Sequence, residues 1–426
     1  GFFPSVSAAW NLADEPFIRN NVTWMDMFKI RASHGKVGTD ATGGDRFPYL
    51  YSIADGGSGY QFSLDDPYYN YSGTYYSQVA SNGVTWEVAE KNDIGIDLAL
   101  FANRFTMTVD YFNENRTGIY MARNYLPTIV GLESTPKANV GTVHSEGFDG
   151  NFAYDQQLGQ VHLTVRGNMT YSKSLIGDYD EENSVYPYQN QHGYRVGQVR
   201  GLIAEGLFKD YDDIRNSPKQ EFGVVQPGDI KYKDVNGDGV VNGGDVCAIG
   251  ATSTPNLIYG LGTSVQWKNF DFNLHFQGAG KSTFLIYGKC VYAFSENQWG
   301  NIFKGMLDDR WVDAETATQL GIAANEDVNA SYPRLSYGGN ANNYQASTYW
   351  LRDGRYLRLK NLDFGYTLPK TLVNQMHINS LRFYVSGTNL LLLSKKFDTW
   401  DPESLQPRGE DYPITKAVTV GLQINL

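Results

Sequence analysis

Cysteine, charged residues and long apolar runs are all scarce in this sequence of 426 residues. Two cysteines exclude a disulfide-rich scaffold and any zinc cluster built on cysteine ligands. The net charge of −11 disfavours a nucleic-acid-binding protein, because phosphate contacts need an excess of Lys and Arg. No apolar run approaches the ~20 residues of a membrane helix, since the longest clear one is 390–393.

Tyrosine, phenylalanine and glycine are abundant instead, at 30, 22 and 45 residues. This composition is typical of a β-rich chain with many turns and argues against helical bundles and disorder. The chain begins Gly1-Phe2-Phe3, without an initiator Met, a basic segment or a signal-like apolar run. We therefore expect a mature, processed or partial chain.

Apolar and polar residues alternate with a period of two in many segments, the pattern of β-strands with one apolar face. The final segment is typical, because Val418, Val420, Leu422 and Ile424 share one face and polar residues or glycine share the other. The pattern predicts eleven strands, at 2–10, 27–37, 92–100, 104–113, 143–155, 161–172, 256–267, 270–280, 355–368, 381–393 and 415–426. A phase shift between Leu359 and Leu362 predicts a β-bulge near Lys360 and Asn361.

The predicted connections alternate strictly in length. Short ones lie at 11–26, 101–103, 156–160, 268–269 and 369–380. Long ones lie at 38–91, 114–142, 173–255, 281–354 and 394–414. Outer-membrane barrels have short periplasmic turns and long external loops, and strands of ~10 residues cross a bilayer at a tilt. The predicted fold is therefore an all-β transmembrane antiparallel β-barrel. Because bacterial barrels usually have an even number of strands, and open edges are not tolerated in lipid, we expect partner strands outside this chain.

One motif has metal-ligand spacing: the loop 234–245, DVNGDGVVNGGD. Oxygen side chains stand at loop positions 1, 3, 5, 9 and 12, a glycine stands at position 6, and a backbone carbonyl serves position 7, as in EF-hand calcium loops. The predicted ligands are Asp234, Asn236, Asp238, Val240, Asn242 and Asp245. Asp245 replaces the usual Glu, whose longer side chain binds calcium through two oxygens. The alternative is an ion-free Asp/Asn/Gly turn. No amphipathic helix pair flanks the loop, so we expect a structural calcium site inside the external loop 173–255.

The two cysteines leave two interpretations open. Cys247 lies just beyond the calcium-like loop, and Cys290 lies in another predicted external loop. They could form one disulfide in an oxidising compartment, or remain as two unpaired thiols.

Several stretches together resemble the SusC/RagA-type TonB-dependent outer-membrane transporters. The most specific match is STYWLRDGRYLRLKNLDFGY at 347–366. The others are GFFPSVSAAW at 1–10, FKIRASHG at 28–35, WE at 86–87, KNDIG at 91–95, DYF at 110–112, GDIKY at 228–232, SGTNL at 386–390, WDPE at 400–403 and YP at 412–413. The final Leu426 departs from the family, which usually ends in Phe.

The resemblance implies that residues 1–426 are the C-terminal half of a 22-stranded barrel, without its plug, TonB box and N-terminal half-barrel. It implies an outer-membrane location in Bacteroidota and energy supplied by the TonB–ExbB–ExbD complex through the missing N-terminal part. It also implies a SusD-like surface lipoprotein as partner, in the import of an oligosaccharide or a peptide.

The sequence predicts binding and transport without catalysis. It contains no GxSxG elbow, Walker A loop, strand–GxGxxG–helix unit or zinc-binding histidine pair. Polar barrel residues and loop aromatics are the candidate substrate contacts, since aromatic rings stack on sugar faces and apolar side chains. The candidates are Arg166, His275, Trp299 and Trp350, and the alternative for each is an ordinary wall, packing or partner-contact residue. The alternative is a secreted calcium-binding, glycan-binding β protein or glycosidase, but no carboxylate pair marks a glycosidase site.

Overall fold

The fold is all-β and is built on one antiparallel sheet of eleven strands, in a computed structural model. The structure describes residues 1–44, 46–61, 70–123, 125–126, 128–295, 302–375, 377–394, 401–403, 408–410 and 412–425. The strands of the sheet, in chain order, are β1 Ser5–Asn11, β2 Met25–Thr39, β3 Glu87–Leu100, β4 Phe105–Ala122, β5 Lys137–Leu158, β6 Val161–Ile176, β7 Leu257–Trp267, β8 Phe270–Ala279, β9 Tyr356–Thr367, β10 Ser380–Ser394 and β11 Ala417–Asn425. Spatial order equals chain order, so each strand lies beside its predecessor.

All eleven predicted strands are confirmed, with shifted ends. Several are longer than predicted, notably β4, β5 and β6, which continue beyond the segment with clean alternation. The predicted bulge is also confirmed: the pairing of β9 with β10 shifts register between Leu359 and Asn361. The pairing of β9 with β8 shifts at the same place. In the described part of the chain no helix is long and apolar enough to cross a membrane.

The apolar face of the sheet is uncovered. Ile30 pairs with Ile96, and Ile96 pairs with Val109, so apolar side chains of β2, β3 and β4 form a continuous row. These three residues are 37%, 37% and 38% exposed. On β11, Val418 and Val420 are exposed as well. A water-soluble sheet buries its apolar face, whereas a sheet facing lipid presents it outward.

The chain forms two compact units. The first comprises Gly1–Asn151 with Tyr171–Val196. Besides strands of the large sheet it contains an antiparallel hairpin, Ser52–Gln61 with Asn70–Gln78. Its helical turns are Leu12–Asp14, Pro16–Arg19, Thr128–Val130 and Pro187–Gln189.

The second unit comprises Phe152–Thr170 with Gly197–Leu426. Two long connections of this unit, 197–256 and 280–355, fold together, and we call them the loop subdomain. Four small strand pairs shape it: Gln198–Gly201 with Cys247–Thr252, Ala204–Leu207 with Ile230–Tyr232, Lys219–Gln220 with Val240–Val241, and Thr283–Leu285 with Leu351–Asp353. Its helical segments are Tyr211–Arg215, Gly243–Asp245, Lys304–Asp308 and Ala314–Leu320, and the helix Lys370–Gln375 lies between β9 and β10.

The loop subdomain has its own hydrophobic core. Residues of both connections form it: Leu202, Leu207, Ile230, Tyr232, Val241, Phe284, Ile286, Val291, Trp311, Ala330 and Trp350. Every one of them is at most 6% exposed. The loop subdomain is therefore a packed structure, since burying such side chains supplies a driving force of ~1.5–3 kcal/mol for each large one.

Candidate functional site

The polar face of the sheet carries ion pairs that span three strands. Arg31 of β2 donates to Asp97 of β3 at 3.1 Å and to Asp110 of β4 at 2.7 Å. Its guanidinium lies across Gly95 of β3, where a Cβ would collide with both Arg31 and Asp110. Glycine is therefore required here for close approach, because any side chain would occupy the path of the arginine.

The same arrangement recurs on three later strands. Arg382 of β10 lies across Gly365 of β9 and donates to Asp271 of β8 at 3.0 and 2.5 Å. A Cβ on Gly365 would lie 2.5 Å from both Arg382 and Asp271. Asp271 is thus paired with an arginine of the same sheet.

Two of the candidate substrate contacts are brought together on this face. Arg166 of β6 and His275 of β8 flank Gly262 of β7, at 3.1 and 3.4 Å from the position that a Cβ would occupy. Arg166 is exposed and His275 is half-buried. Asn168 approaches the neighbouring Gly260 in the same way. The two glycines thus clear a lane on the polar face between a cation and an imidazole, and a polar ligand could contact both.

The predicted role of Trp350 in substrate contact is wrong. Trp350 is 2% exposed and belongs to the core of the loop subdomain. Its indole N–H donates to the Asn343 carbonyl at 2.7 Å, and its ring packs edge-on against Tyr349. No surface of this side chain is left for a ligand. Trp299, the other tryptophan candidate, lies outside the described residues.

A buried carboxylate that the sequence analysis missed organises the loop subdomain. Asp229 is fully buried and pairs with Arg334 at 2.7 Å. It also accepts amide N–H groups from Asn340 and Asn343, both at 2.9 Å, and the backbone N–H of Gln226 at 2.8 Å. Because a buried charge is tolerated only when paired and hydrogen-bonded, these contacts fix the two connections together. In the sequence, Asp229 is marked only by its place in the GDIKY stretch at 228–232, one of the stretches on which the family resemblance rests.

Burial also shifts the pKa values of ionisable groups within the loop subdomain. The pKa values of Tyr232 and Tyr349 rise above their ordinary range because desolvation disfavours the phenolate. Burial lowers the pKa of Arg352 for the corresponding reason. Tyr232 donates its hydroxyl to the Asn342 carbonyl, and Tyr349 donates to the Ala330 carbonyl. These phenols are packing residues that bind neighbouring backbone.

The calcium-like loop is folded by its own side chains. Asp234 accepts the N–H groups of Gly237 and Gly239 at 2.7 and 2.8 Å. Asp245, which is fully buried, accepts the N–H of Val235 at 2.7 Å and that of Asn242 at 2.9 Å. The hydrogen bonds that close this loop are therefore made by residues at positions 1 and 12 of the motif.

The remaining predicted ligands are held in the same loop. Asn236 accepts the N–H of Asp238, which in turn accepts the N–H of Val240, both at 2.9 Å. Asn242 accepts the N–H of Gly244 at 2.7 Å. Across the described part of the chain, no three His, Cys, Asp or Glu side chains converge as a metal-ligand cluster. The loop thus brings the predicted oxygen ligands into one turn, with its carboxylates engaged by backbone N–H groups.

Both cysteines are free thiols in the structure. The bridge between Cys247 and Cys290 is therefore not formed, and the alternative of two unpaired thiols describes the observed state. Cys247 is buried and donates weakly to the Gly201 carbonyl at 3.8 Å. Burial raises the pKa of this thiol, which keeps it protonated and unreactive.

A sheet whose apolar face is exposed and whose opposite face carries paired charges defines the wall of an outer-membrane β-barrel. Comparison with known proteins agrees with this class. No protein-family model matches the chain. TonB-dependent receptor P3 of Formosa agariphila is 25% identical over 95% of the chain and 38% of its own length. SusC of Bacteroides thetaiotaomicron, a TonB-dependent receptor, is 22% identical over 100% of the chain and 40% of its own length.

Solved structures show the same fold. The chain superimposes on the RagAB peptide transporter with a TM-score of 0.72 and 19% identity, over 100% of the chain and 43% of that structure's chain. The chain is therefore similar to TonB-dependent receptors over nearly its whole length and shares the fold of the RagAB transporter, as the sequence predicted, and it is assigned to the outer membrane. It spans about two fifths of the length of these relatives. The named relatives are receptors and not enzymes, in agreement with the predicted absence of catalysis.

Proposed function

We propose that this chain forms barrel wall and external loops of a TonB-dependent transporter that imports an oligosaccharide or a peptide. The observation that carries the proposal is the sheet itself. Its eleven strands present apolar side chains outward and paired charges on the other face, and they align from end to end with TonB-dependent receptors. Residues 1–426 then correspond to the C-terminal half of the barrel, with partner strands and the plug in the remainder of the receptor.

The proposed partners follow from the same relatives. We infer a SusD-like surface lipoprotein as partner and an energy supply from TonB–ExbB–ExbD, as the resemblance to the SusC/RagA type implies. The loop subdomain, as a packed structure on the long connections, offers a firm surface for such a lipoprotein. Lipid contacts the apolar face of the sheet, and the net charge of −11 gives no reason to expect nucleic acid.

The import proposal is tested in cells that depend on the full-length receptor. Deletion of its gene should abolish growth on one class of nutrient, either oligosaccharides or peptides, and the wild-type gene should restore it. Loss of TonB should have the same effect, while substrate should still bind to purified receptor. Unchanged growth on every oligosaccharide and peptide tested would remove the import proposal.

Within that wall, we assign Arg166 and His275 to contact with the passing substrate. They flank the glycine lane at Gly260 and Gly262, where the polar face has no side chain of its own. Gly262→Leu should block the lane and slow uptake severalfold while leaving the amount of receptor in the membrane unchanged. Gly83→Leu is the matched control, since a Cβ there meets nothing within 4 Å. Equal uptake by the two variants would remove the assignment.

We further propose that the loop 234–245 binds one structural Ca²⁺ through Asp234, Asn236, Asp238, Val240, Asn242 and Asp245. The supporting observations are the ligand spacing and the single turn that gathers these residues. Calcium at a hundredfold excess over its dissociation constant should raise the free energy of unfolding of the loop subdomain by about 2.7 kcal/mol.

The calcium site is tested on the full-length receptor in detergent, by thermal unfolding with Ca²⁺, with Mg²⁺ and with a chelator. Asp238→Ala should remove the calcium-dependent shift, because it deletes one of the carboxylate ligands. Asp212→Ala is the matched control: it also removes one exposed carboxylate from the same connection, but outside the motif. An identical unfolding temperature with calcium and with chelator in the wild type would exclude the site.

A further inference from the structure

The loop subdomain contains an open cavity of about 750 Å³, apart from the calcium-like loop and the polar face of the sheet. Its volume lies within the range of small-ligand sites. Apolar and aromatic side chains of Tyr211, Pro227, Trp311, Leu320 and Leu335 contribute to its walls. The cavity is therefore large enough for a ligand of several residues and has surfaces on which such a ligand could pack.

Arg310 lines this cavity and is nine-tenths buried, with 9% of its surface exposed. Of its five donors, only Nη1 is used, in a hydrogen bond to the Leu307 carbonyl at 2.8 Å. Among the described residues it forms no ion pair with a carboxylate. A buried guanidinium without a counter-charge is costly, and an anionic group supplied by a ligand would offset that cost.

Trp311, the next residue in the chain, is a second buried side chain that lines this cavity. Trp311 is 4% exposed, and its indole N–H has no hydrogen-bond acceptor among the described residues. It lines the same cavity and is held rigidly, because its ring lies against Gly228 and its backbone N–H donates to the Tyr332 carbonyl at 3.0 Å. The buried indole therefore forms a fixed part of the cavity wall beside Arg310.

A second arginine, Arg334, also lines the cavity but already has a carboxylate partner. Arg310 is therefore the arginine that is left to bind an anion. Arg334 is paired with Asp229 through both Nε and Nη2, so its charge is already neutralised inside the protein. Arg310 has no such partner. Bidentate recognition of a carboxylate by a guanidinium matches the donors that Arg310 leaves free.

Acidic side chains line the outer part of the cavity. Asp313, Glu315 and Glu326 are among its lining residues, and both glutamates are exposed. A ligand with negative charge only would be repelled by them, whereas a ligand with an amino group at a distance from its carboxylate would be attracted. The charge distribution thus favours a zwitterion over an acidic sugar.

We propose that this cavity binds a short peptide by its C-terminal carboxylate, which Arg310 holds, while the acidic residues attract the peptide's amino group. This deepens the proposed import function, because it names the substrate class and places a capture site on the external side of the barrel.

The test is equilibrium dialysis of the purified full-length receptor against tryptic peptides of casein. Retention of the same peptides after methyl esterification should fall at least tenfold, because esterification removes the carboxylate charge. Arg310→Gln should lower retention of the free peptides at least tenfold, and Arg310→Lys should lower it less. Arg355→Gln is the matched control, since Arg355 is an exposed arginine paired with Asp353 outside the cavity.

Three results would overturn the proposal: equal retention of esterified peptides, unchanged retention by Arg310→Gln, or tighter Arg310-dependent binding of trigalacturonate than of peptides. If Arg310→Gln does not fold, Glu315→Gln replaces it and should weaken binding of free peptides severalfold but not that of N-acetylated peptides. Equal weakening of both would then count against the peptide. Dialysis involves no transport, so its outcome is independent of the import test.

Discussion

Glycines on the polar face give charged side chains room to reach over a whole strand. Gly365 is the clearest case, because a Cβ there would press on both partners of the Arg382–Asp271 pair. We predict that Gly365→Ala displaces this pair and costs up to about 1 kcal/mol of barrel stability, because the atoms that must move are the ends of two partly exposed, flexible side chains. The temperature at which the detergent-solubilised receptor unfolds on a gel measures the loss.

Gly305→Ala is the matched control for that experiment. Gly305 lies in the short helix Lys304–Asp308, and a Cβ there meets no atom within 4 Å. This variant should unfold with the wild type or slightly above it, since alanine favours helix. A Gly365→Ala receptor as stable as the control would show that the ion pair adapts without cost.

Two residues, Trp350 and Asp229, show which features the sequence alone does not predict. Trp350 is a candidate substrate contact because it lies in a predicted external loop, yet it belongs to a buried core. Asp229 could not be recognised as an organising residue, because its partner Asn343 is 114 positions away in the sequence. Such contacts have no local pattern, since they depend on how two irregular connections pack.

At the scale of elements, the strands were predictable and the loop helices were not. Strand alternation is repeated eleven times, and even the bulge in β9 leaves a visible phase shift at Lys360. The helix Ala314–Leu320 has no comparable apolar stripe. It is fixed at its first turn by Asp313, whose side chain accepts the N–H of Thr316 at 2.7 Å.

This helix cap should make local stability depend on pH. Hydrogen bonds from the backbone and hydroxyl of Thr316 lower the pKa of Asp313 below its usual value. The stabilisation is therefore complete above the usual pKa and is lost as the pH falls through the lowered one. At neutral pH, Asp313→Ala should cost the helix about 1 kcal/mol.

Hydrogen exchange of the amides of Ala314–Leu320 measures that effect. Asp313→Asn is the informative control, because asparagine caps helices but does not titrate. The ratio of wild-type to Asp313→Asn protection should fall as the pH drops below the usual pKa of aspartate towards the lowered one. A constant ratio would show that the carboxylate charge does not contribute.

At the scale of the whole molecule, the exposed apolar face requires lipid. Val109 and Thr108 are consecutive on β4, so their side chains lie on opposite faces of the sheet. Val109→Arg should destabilise the receptor by about 2–4 kcal/mol in a bilayer, because the charge enters hydrocarbon near the middle of the strand. Thr108→Arg faces Asp97 on the polar side and should cost much less. Urea unfolding of both variants in liposomes compares them directly, and equal losses would contradict the assignment of the two faces.

The shared core of the loop subdomain constrains the order in which the receptor is assembled. Its two connections are separated in the chain by the hairpin of β7 and β8, so the core cannot be completed before that hairpin and the second connection have both been made. Contacts such as that of Gln220 with Asn342, 122 positions apart, form late and slowly because a long segment must first be closed. The loop subdomain should consequently mature only on the far side of the membrane, after insertion of the barrel. Until then Asp229 stays hydrated, because Arg334, Asn340 and Asn343, which pair with it in the folded state, belong to the second connection.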